Sequence, residues 1–225
     1  MKPIVLSARW LHEHISDISI RIYDISPQPQ TQCLPYTSYI NPKSFDTRDE
    51  KQIKQLITDN NIHIQSHIIL YSVTNNVFKP FFILNYFGFE QISVFFDPLV
   101  KWELEKYSFD KYIQRNKLLT PLYIQGRRIL ASIDHIANVQ QDPGYQIVNC
   151  TSRQKAEVNI SITEFQKRCS NVSPLTLQGL FHEYGIDDER VQILVDDGGQ
   201  EKYEVYFWLQ YSRGKKGLIW MLEDI

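Results

Sequence analysis

With 225 residues, 43% of them hydrophobic and 13% aromatic, the chain has enough apolar material for one large core or two compact ones, which excludes a disordered chain. A formal net charge of -2 excludes a global pull toward nucleic acid or an anionic membrane. No apolar run reaches the roughly 18 residues that span a bilayer, and the opening Met1-Lys2-Pro3-Ile4-Val5-Leu6 meets Ser7, Arg9 and His12 too soon for a secretory leader. Three widely spaced cysteines, Cys33, Cys150 and Cys169, form no C-x-x-C pair. Their odd number points to reduced thiols, and so to a cytoplasmic protein.

In chain order, Val5-Leu6-Ser7-Ala8-Arg9-Trp10-Leu11 precedes a short β-rich run, Ile20-Arg21-Ile22-Tyr23-Asp24. Thr47-x-x-Glu50 reads as a capping box opening a helix over 52–59, with Ile53, Leu56 and Ile57 on one face. Ile68-Ile69-Leu70-Tyr71 is too short for a helix and reads as a buried strand. It runs into a polar loop, Ser72-Val73-Thr74-Asn75-Asn76-Val77, then an aromatic segment containing Phe78, Phe81, Phe82, Tyr86 and Phe87 whose spacing fits a helix packed on a sheet. Another strand covers 92–96. Residues 103–128, rich in Lys, Arg, Tyr and Gln without a sustained period, read as a connection.

The same order then returns. Tyr145-Gln146-Ile147-Val148-Asn149 mirrors the run at 20–24, and Ser173-Pro174 supplies an N-cap and an N1 proline ahead of Leu175, Leu177, Leu180 and Phe181. Val191-Gln192-Ile193-Leu194-Val195 leads into the loop Asp196-Asp197-Gly198-Gly199-Gln200 and an aromatic stretch, Tyr203, Tyr206, Phe207, Trp208 and Tyr211. A repeat of strands alternating with helices implies two α/β units, each a small parallel sheet flanked by helices. The expected domains are 1–106 and a shortened 128–225, with 107–127 as linker; a single larger α/β domain is the alternative.

Several of these segments resemble the tandem rhodanese family, the thiosulfate and 3-mercaptopyruvate sulfurtransferases. Val5 to Leu11 is similar to the start of its first domain, and Ile22-Tyr23-Asp24 to its strand ending in Asp. Tyr39-Ile40-Asn41-Pro42 loosely resembles its His-Ile-Pro-Gly segment, while Phe87-Gly88-Phe89, Val94-Phe95-Phe96-Asp97 and Trp102 resemble its closing strand and helix. In the second half, Val148-Asn149-Cys150-Thr151 and Tyr184-Gly185-Ile186-Asp187 are similar to that strand and to the turn before the active-loop strand. The resemblance covers most of the chain in order, apart from a shortened stretch between Ser152 and Ser173. It implies two rhodanese-like domains whose active loops begin where the family places its nucleophilic cysteine. Those positions hold Ser72 and Asp196. An Asp followed by glycines resembles the loop of the family's non-catalytic domain, so the second unit departs from the pattern for its place.

The family's persulfide chemistry needs a thiolate that attacks sulfane sulfur and leaves again, and a serine alkoxide is far too basic for either step. Asp196 and Asp197 would repel an anionic donor. The sequence therefore implies a non-catalytic binding or regulatory protein acting on an unidentified protein or small anionic ligand, with no cofactor, no metal, no nucleic acid and no membrane. The candidate anion contacts are Ser72, Val73, Thr74, Asn75, Asn76 and Val77, with Lys79 nearby. His12 and His14, at i and i+2, face apart on a helix and do not make a metal pair. The alternative is a sulfurtransferase working through a displaced cysteine, which requires Cys33, Cys150 or Cys169 to fold against one of the two loops.

Overall fold

The computed structural model describes residues 4–46, 49–74, 76–116, 130–150, 157–169, 173–195, 199, 201–213 and 219–222. The chain divides into two units, Met1–Arg127 and Arg128–Ile225. In the first, helix α1 (Ala8–His14) leads to strand β1 (Ile20–Asp24), strand β2 (Thr37–Tyr39), a 3-10 turn (Pro42–Phe45) and helix α2 (Glu50–Asp59). Strand β3 (His67–Tyr71), helix α3 (Phe78–Tyr86), strand β4 (Ile92–Phe95) and helix α4 (Pro98–Leu104) follow. The second unit opens with strand β5 (Leu130–Ala131), helix α5 (Ile133–Val139), strand β6 (Tyr145–Asn149) and strand β7 (Val158–Asn159). Helices α6 (Ile162–Cys169) and α7 (Pro174–Glu183), strand β8 (Val191–Val195), helix α8 (Glu201–Arg213) and strand β9 (Ile219–Leu222) complete it.

Each unit builds its own all-parallel sheet, in the orders β2-β1-β3-β4 and β5-β9-β8-β6-β7. The extra position is matched in the first unit by Val5, which bridges Val94 in parallel. The repeat extends to single hydrogen bonds. Ile25 N–H donates to Tyr71 O and Cys150 N–H to Val195 O, while Ile40 N–H donates to Asp24 O and Ile160 N–H to Asn149 O, all at 2.9 Å. Period-2 alternation sends Ile20, Ile22, Ile69, Tyr71 and Phe95 into a core with Leu11 and Trp102, and Ile193 and Val195 into a smaller one with Ala131. Parallel strands buried on both faces read as continuous apolar runs, and all five residues of β3 are buried.

One local expectation is corrected. Thr47 lies outside the described residues, and the α2 cap is Asp49, whose carboxylate accepts from Lys51 N–H at 2.8 Å and Gln52 N–H at 3.3 Å. A carboxylate at N-cap both fills orphan amides and faces the positive helix end, so the helix starts two residues earlier than its apolar period suggests. The described part of the segment expected as linker, 107–116, lies against the first sheet. Phe109 and Tyr107 pack on the core, Trp102 Nε1–H donates to Ser108 O at 2.9 Å, and Ile113 N–H donates to Thr37 O at 2.8 Å. This strap lacks a period because its contacts are made one residue at a time.

The turn after α2 and the turn after α7 reach the same geometry with different residues. Asn61 (φ 53°) and Gly185 (φ 87°) are left-handed, and the next residue closes the helix end, Ile62 N–H to Ile57 O and Ile186 N–H to Phe181 O, both at 2.9 Å. Gly185→Ala is expected to lower the urea stability by about 1–2 kcal/mol, the strain of a Cβ in this region. At the amino ends of the second sheet, buried Gln146 and Gln192 clamp the following loop: Gln146 Nε2–H donates to Gly185 O at 2.8 Å and Gln192 Nε2–H to Arg190 O at 2.6 Å. Asp188 in that loop is partly buried, which alone would raise its pKa. The Gln178 amide at 2.8 Å, Arg213 and His182 outweigh that effect and hold the carboxyl below the usual carboxylate range. A depressed carboxylate contributes stability above its unfolded pKa of about 3.9 that is lost as pH falls through the lower folded value. Asp188→Asn is thus expected to lose roughly 1 kcal/mol of urea stability at pH 7, with the gap to wild type closing below about pH 4.

Candidate functional site

In a parallel α/β sheet, ligand sites form beyond the carboxyl ends of the strands, where loops lead into helices. In the first unit that place is the turn from β3 to α3. Ser72 is fully buried there. Its Oγ lies 3.0 Å from Thr74 Oγ1 and accepts the Thr74 N–H at 3.3 Å, so a loop amide is aimed at the side chain of residue 72. Val73 N–H, by contrast, donates to Ser26 Oγ at 3.1 Å. Val73 and Asn76 are exposed, Val77 is buried, and Asn75 lies outside the described residues. Helix α3 has Val77 as N-cap, whose side chain makes no capping bond. Pro80 in its first turn has no N–H to leave unsatisfied. Lys79, expected near the loop, pairs with Asp46 Oδ1 at 2.8 Å.

Behind the loop lies a carboxylate that sequence reading placed only as a strand end. Asp24 is fully buried, and its Oδ1 accepts from Ser26 N–H at 2.8 Å and Ser26 Oγ–H at 2.5 Å. Its Oδ2 accepts from the Tyr112 hydroxyl, which in turn accepts Gln30 N–H at 2.8 Å. Burial and then the Asp24 contact push the Tyr112 phenol up from its ordinary value, so it stays a protonated donor. A continuous chain therefore runs from the strap through Tyr112, Asp24 and Ser26 to the Val73 amide. Nothing in the periodicity of the sequence marks Tyr112, whose partner lies 88 residues away.

In the second unit, Asp196, Asp197, Gly198 and Gln200 lie outside the described residues. Gly199 is followed by Glu201, whose carboxylate folds back over it: a Cβ at Gly199 would lie 1.8 Å from Glu201 Oε2. Glu201 and Glu204 both occupy the first turn of α8, where acidic side chains offset the positive helix end that would otherwise attract an anion. Glu204 is buried and accepts from Gln166 Nε2–H at 2.8 Å and Trp208 Nε1–H at 3.3 Å, with burial pushing its carboxyl up. The residue matching Asp24 is Asn149, also fully buried, whose Nδ2–H donates to Asn159 Oδ1 at 3.2 Å. The second unit thus holds a neutral amide where the first holds a charge.

Cys33 is fully buried in an antiparallel bridge with Asp110, its Sγ 3.5 Å from Asp110 O. Burial, then the Asp24 and Asp110 carboxylates, push its thiol up to about 12. Cys150 is buried just past β6, its backbone bonded to Val195 next to the Asp196 loop, and its Sγ lies 3.9 Å from Val148 O. The Cys169 side chain lies outside the described residues. His12 and His14 do face apart: the first stacks on Tyr107 at 3.8 Å and the second on Trp10 at 4.2 Å.

Tyr112→Phe is expected to cost about 1–3 kcal/mol, since it strips a partner from a buried carboxylate and from the Gln30 amide. It is also expected to move the Val73 amide resonance, whereas a surface change such as Lys111→Ala leaves that resonance in place. Cys33 should resist iodoacetamide at pH 8 in the native protein and react at the rate of a free thiol once unfolded, because at that pH it is almost wholly protonated as well as buried.

No protein-family model matches this chain, and no curated protein matches it in sequence. Solved structures do. SseA of Escherichia coli, described as a 3-mercaptopyruvate sulfotransferase with the rhodanese fold, superposes with a TM-score of 0.80 at 14% identity over 98% of both chains. The sub-stoichiometric sulfur transferase subunit of yeast mitochondrial complex I gives 0.73 at 13% identity, over 97% of this chain and 93% of that one. An anaerobic ergothioneine biosynthesis enzyme from Chlorobium limicola, solved with trimethyl histidine, gives 0.75 at 12% identity, over 97% and 66%. With its two parallel sheets flanked by helices, this chain has the rhodanese fold.

Proposed function

We propose that this chain is a non-catalytic rhodanese-like protein of the cytoplasm, made of domains 1–106 and 128–225, that binds or regulates a partner through an unreactive version of the fold's loop. One observation carries the reading: the residue at the carboxyl end of β3, onto which the loop directs an amide, is the fully buried serine Ser72. A serine in this place accepts the amide that a thiolate would take but forms no persulfide. The Asp196 loop of the second unit, followed by the acidic first turn of α8, supports the same conclusion there. The thiol of Cys33, in no disulfide, supports a reducing compartment.

The residues proposed to meet the ligand are Ser72, Val73, Thr74, Asn75, Asn76 and Val77, and the ligand proposed is a small anion or a partner's carboxylate. The Ser72–Val77 loop itself, which has no acidic side chain and four neutral polar ones, supports this. No helix among the described residues is long and apolar enough to cross a membrane. A second reading, sulfur transfer through a displaced thiol, draws support from the backbone bond between Cys150 and Val195 beside the second loop, and is opposed by the burial of that sulfur.

The test is sulfur transfer to cyanide from thiosulfate and from 3-mercaptopyruvate. The expected rate is that of an equal concentration of free thiols. Turnover above that level which vanishes in Cys150→Ser, Cys33→Ser or Cys169→Ser would overturn the proposal in favour of the displaced-thiol reading.

A further inference from the structure

On β1, Arg21 and Tyr23 share the sheet face opposite to Ile20 and Ile22, which enter the core. Arg21 is half-buried; its Nη1–H donates to the carbonyls of Ile18 and, at 2.9 Å, Ile20. Arg115 reaches the same ring from the strap. Its Cζ lies 5.9 Å from the centroid of Tyr23, and its Nη2–H donates to Tyr36 O at 2.8 Å. The ring is held by its hydroxyl, which donates to Asn60 O at 3.0 Å and Asn61 O at 3.2 Å past the end of α2. Both guanidiniums keep a buried Nε without an acceptor, and no carboxylate among the described residues forms an ion pair with either.

Arg21 acts on Arg115 as a like charge, and carbonyl oxygens satisfy hydrogens without neutralising charge. Burial, and after it the neighbouring Arg21, depress the pKa of Arg115 even though the Tyr23 hydroxyl opposes the shift. The missing component is a negative group that takes several N–H donors at once. Guanidinium forks fit the oxygens of phosphate and sulfate in paired bonds, whereas a halide ion offers no such geometry.

We propose that Arg21 and Arg115, flanking Tyr23, form a binding site for a phosphate or sulfate group, free or carried on a small metabolite. This site is separate from the loop at 72–77. Arg21 is three residues before Asp24, about 10 Å back along the strand at roughly 3.3 Å per residue, toward the opposite end of the sheet. It does not depend on whether that loop binds anything.

The test is a titration of the intact chain with inorganic phosphate, sulfate and glycerol phosphate at constant ionic strength, with chloride as control, read from the arginine Nε–Hε resonances. Saturable shifts at Arg21 and Arg115 with phosphate and sulfate are expected, and none with chloride. Arg115→Gln and Arg21→Gln should each weaken phosphate binding, read at the remaining arginine, by about tenfold or more, while a change at the exposed Lys51, Lys51→Ala, leaves it unchanged. Arg115→Lys, which keeps the charge and disturbs packing least, should still lose about tenfold because the fork is gone. Saturation by glycerol phosphate as well extends the site to phosphomonoesters; saturation by phosphate and sulfate alone confines it to the free ions. Non-saturating shifts, an equal response to chloride, or saturable shifts at the remaining arginine that persist undiminished in Arg115→Gln and Arg21→Gln would overturn the proposal.

Discussion

The first unit depends on how a charge is kept out of water. The Asp24 carboxylate is fully buried at the end of β1, and an ion in that position is stable only when its lone pairs are taken. Ser26 and Tyr112 take them, and each contact constrains something larger. Ser26 has to turn back beneath the neighbouring loop, where its hydroxyl meets the Val73 amide. Tyr112 has to sit over the sheet end, which holds the strap 107–116 against β2 through Ile113 and Ser38. The loop and the strap are thus ordered by one carboxylate.

The second unit solves the same geometry without that charge. Asn149 occupies the Asp24 position as a neutral amide bonded sideways to Asn159, and Cys150 follows where Ile25 stands in the first unit. A buried amide is cheaper to desolvate than a carboxylate and imposes fewer obligations on its surroundings. The polar residues that organise this unit lie instead at the opposite, amino ends of its strands, where Gln146, Gln192 and Arg213 brace the loop around Asp188. Among the described residues, the two units therefore keep these polar frameworks at opposite ends of the sheet. The carboxyl end of the second sheet, where Asn149 lies, is the one whose helix start carries Glu201 and Glu204.

These differences mark the limit of what sequence makes legible. The strands at 20–24, 68–71, 145–149 and 191–195 and the helices between them stand out because burial on both sheet faces gives β-branched runs and burial on one helix face gives a period. The order of these elements, repeated once, is enough to specify parallel sheets. The Ser72 position follows from that order. What escapes is anything held by a single long-range bond: Tyr112 to Asp24, Cys33 to Asp110 and Arg115 to Tyr23 join positions 77 to 92 residues apart with no local pattern to announce them. The strap reads as a linker for that reason. The cap of α2 is missed by a different route, since Thr47 and Asp49 are both good N-caps and only the chain path after the 3-10 turn selects between them.

The geometry of the first loop also explains why a serine suits position 72. An amide aimed at a buried side chain needs an acceptor, and the penalty for leaving it bare is about 1–3 kcal/mol. A thiolate, a hydroxyl or a bound anion would each satisfy the Thr74 N–H. Alanine would not. Serine also has a proton to share with Thr74 Oγ1, so two polar groups are satisfied with no ionised atom in the core. The Thr74 amide is thus directed at residue 72 for a packing reason, and the hydroxyl there is the least demanding group that meets it. Reactivity and architecture separate at this residue: the fold requires an acceptor at position 72, whereas only sulfur transfer requires that the acceptor be sulfur.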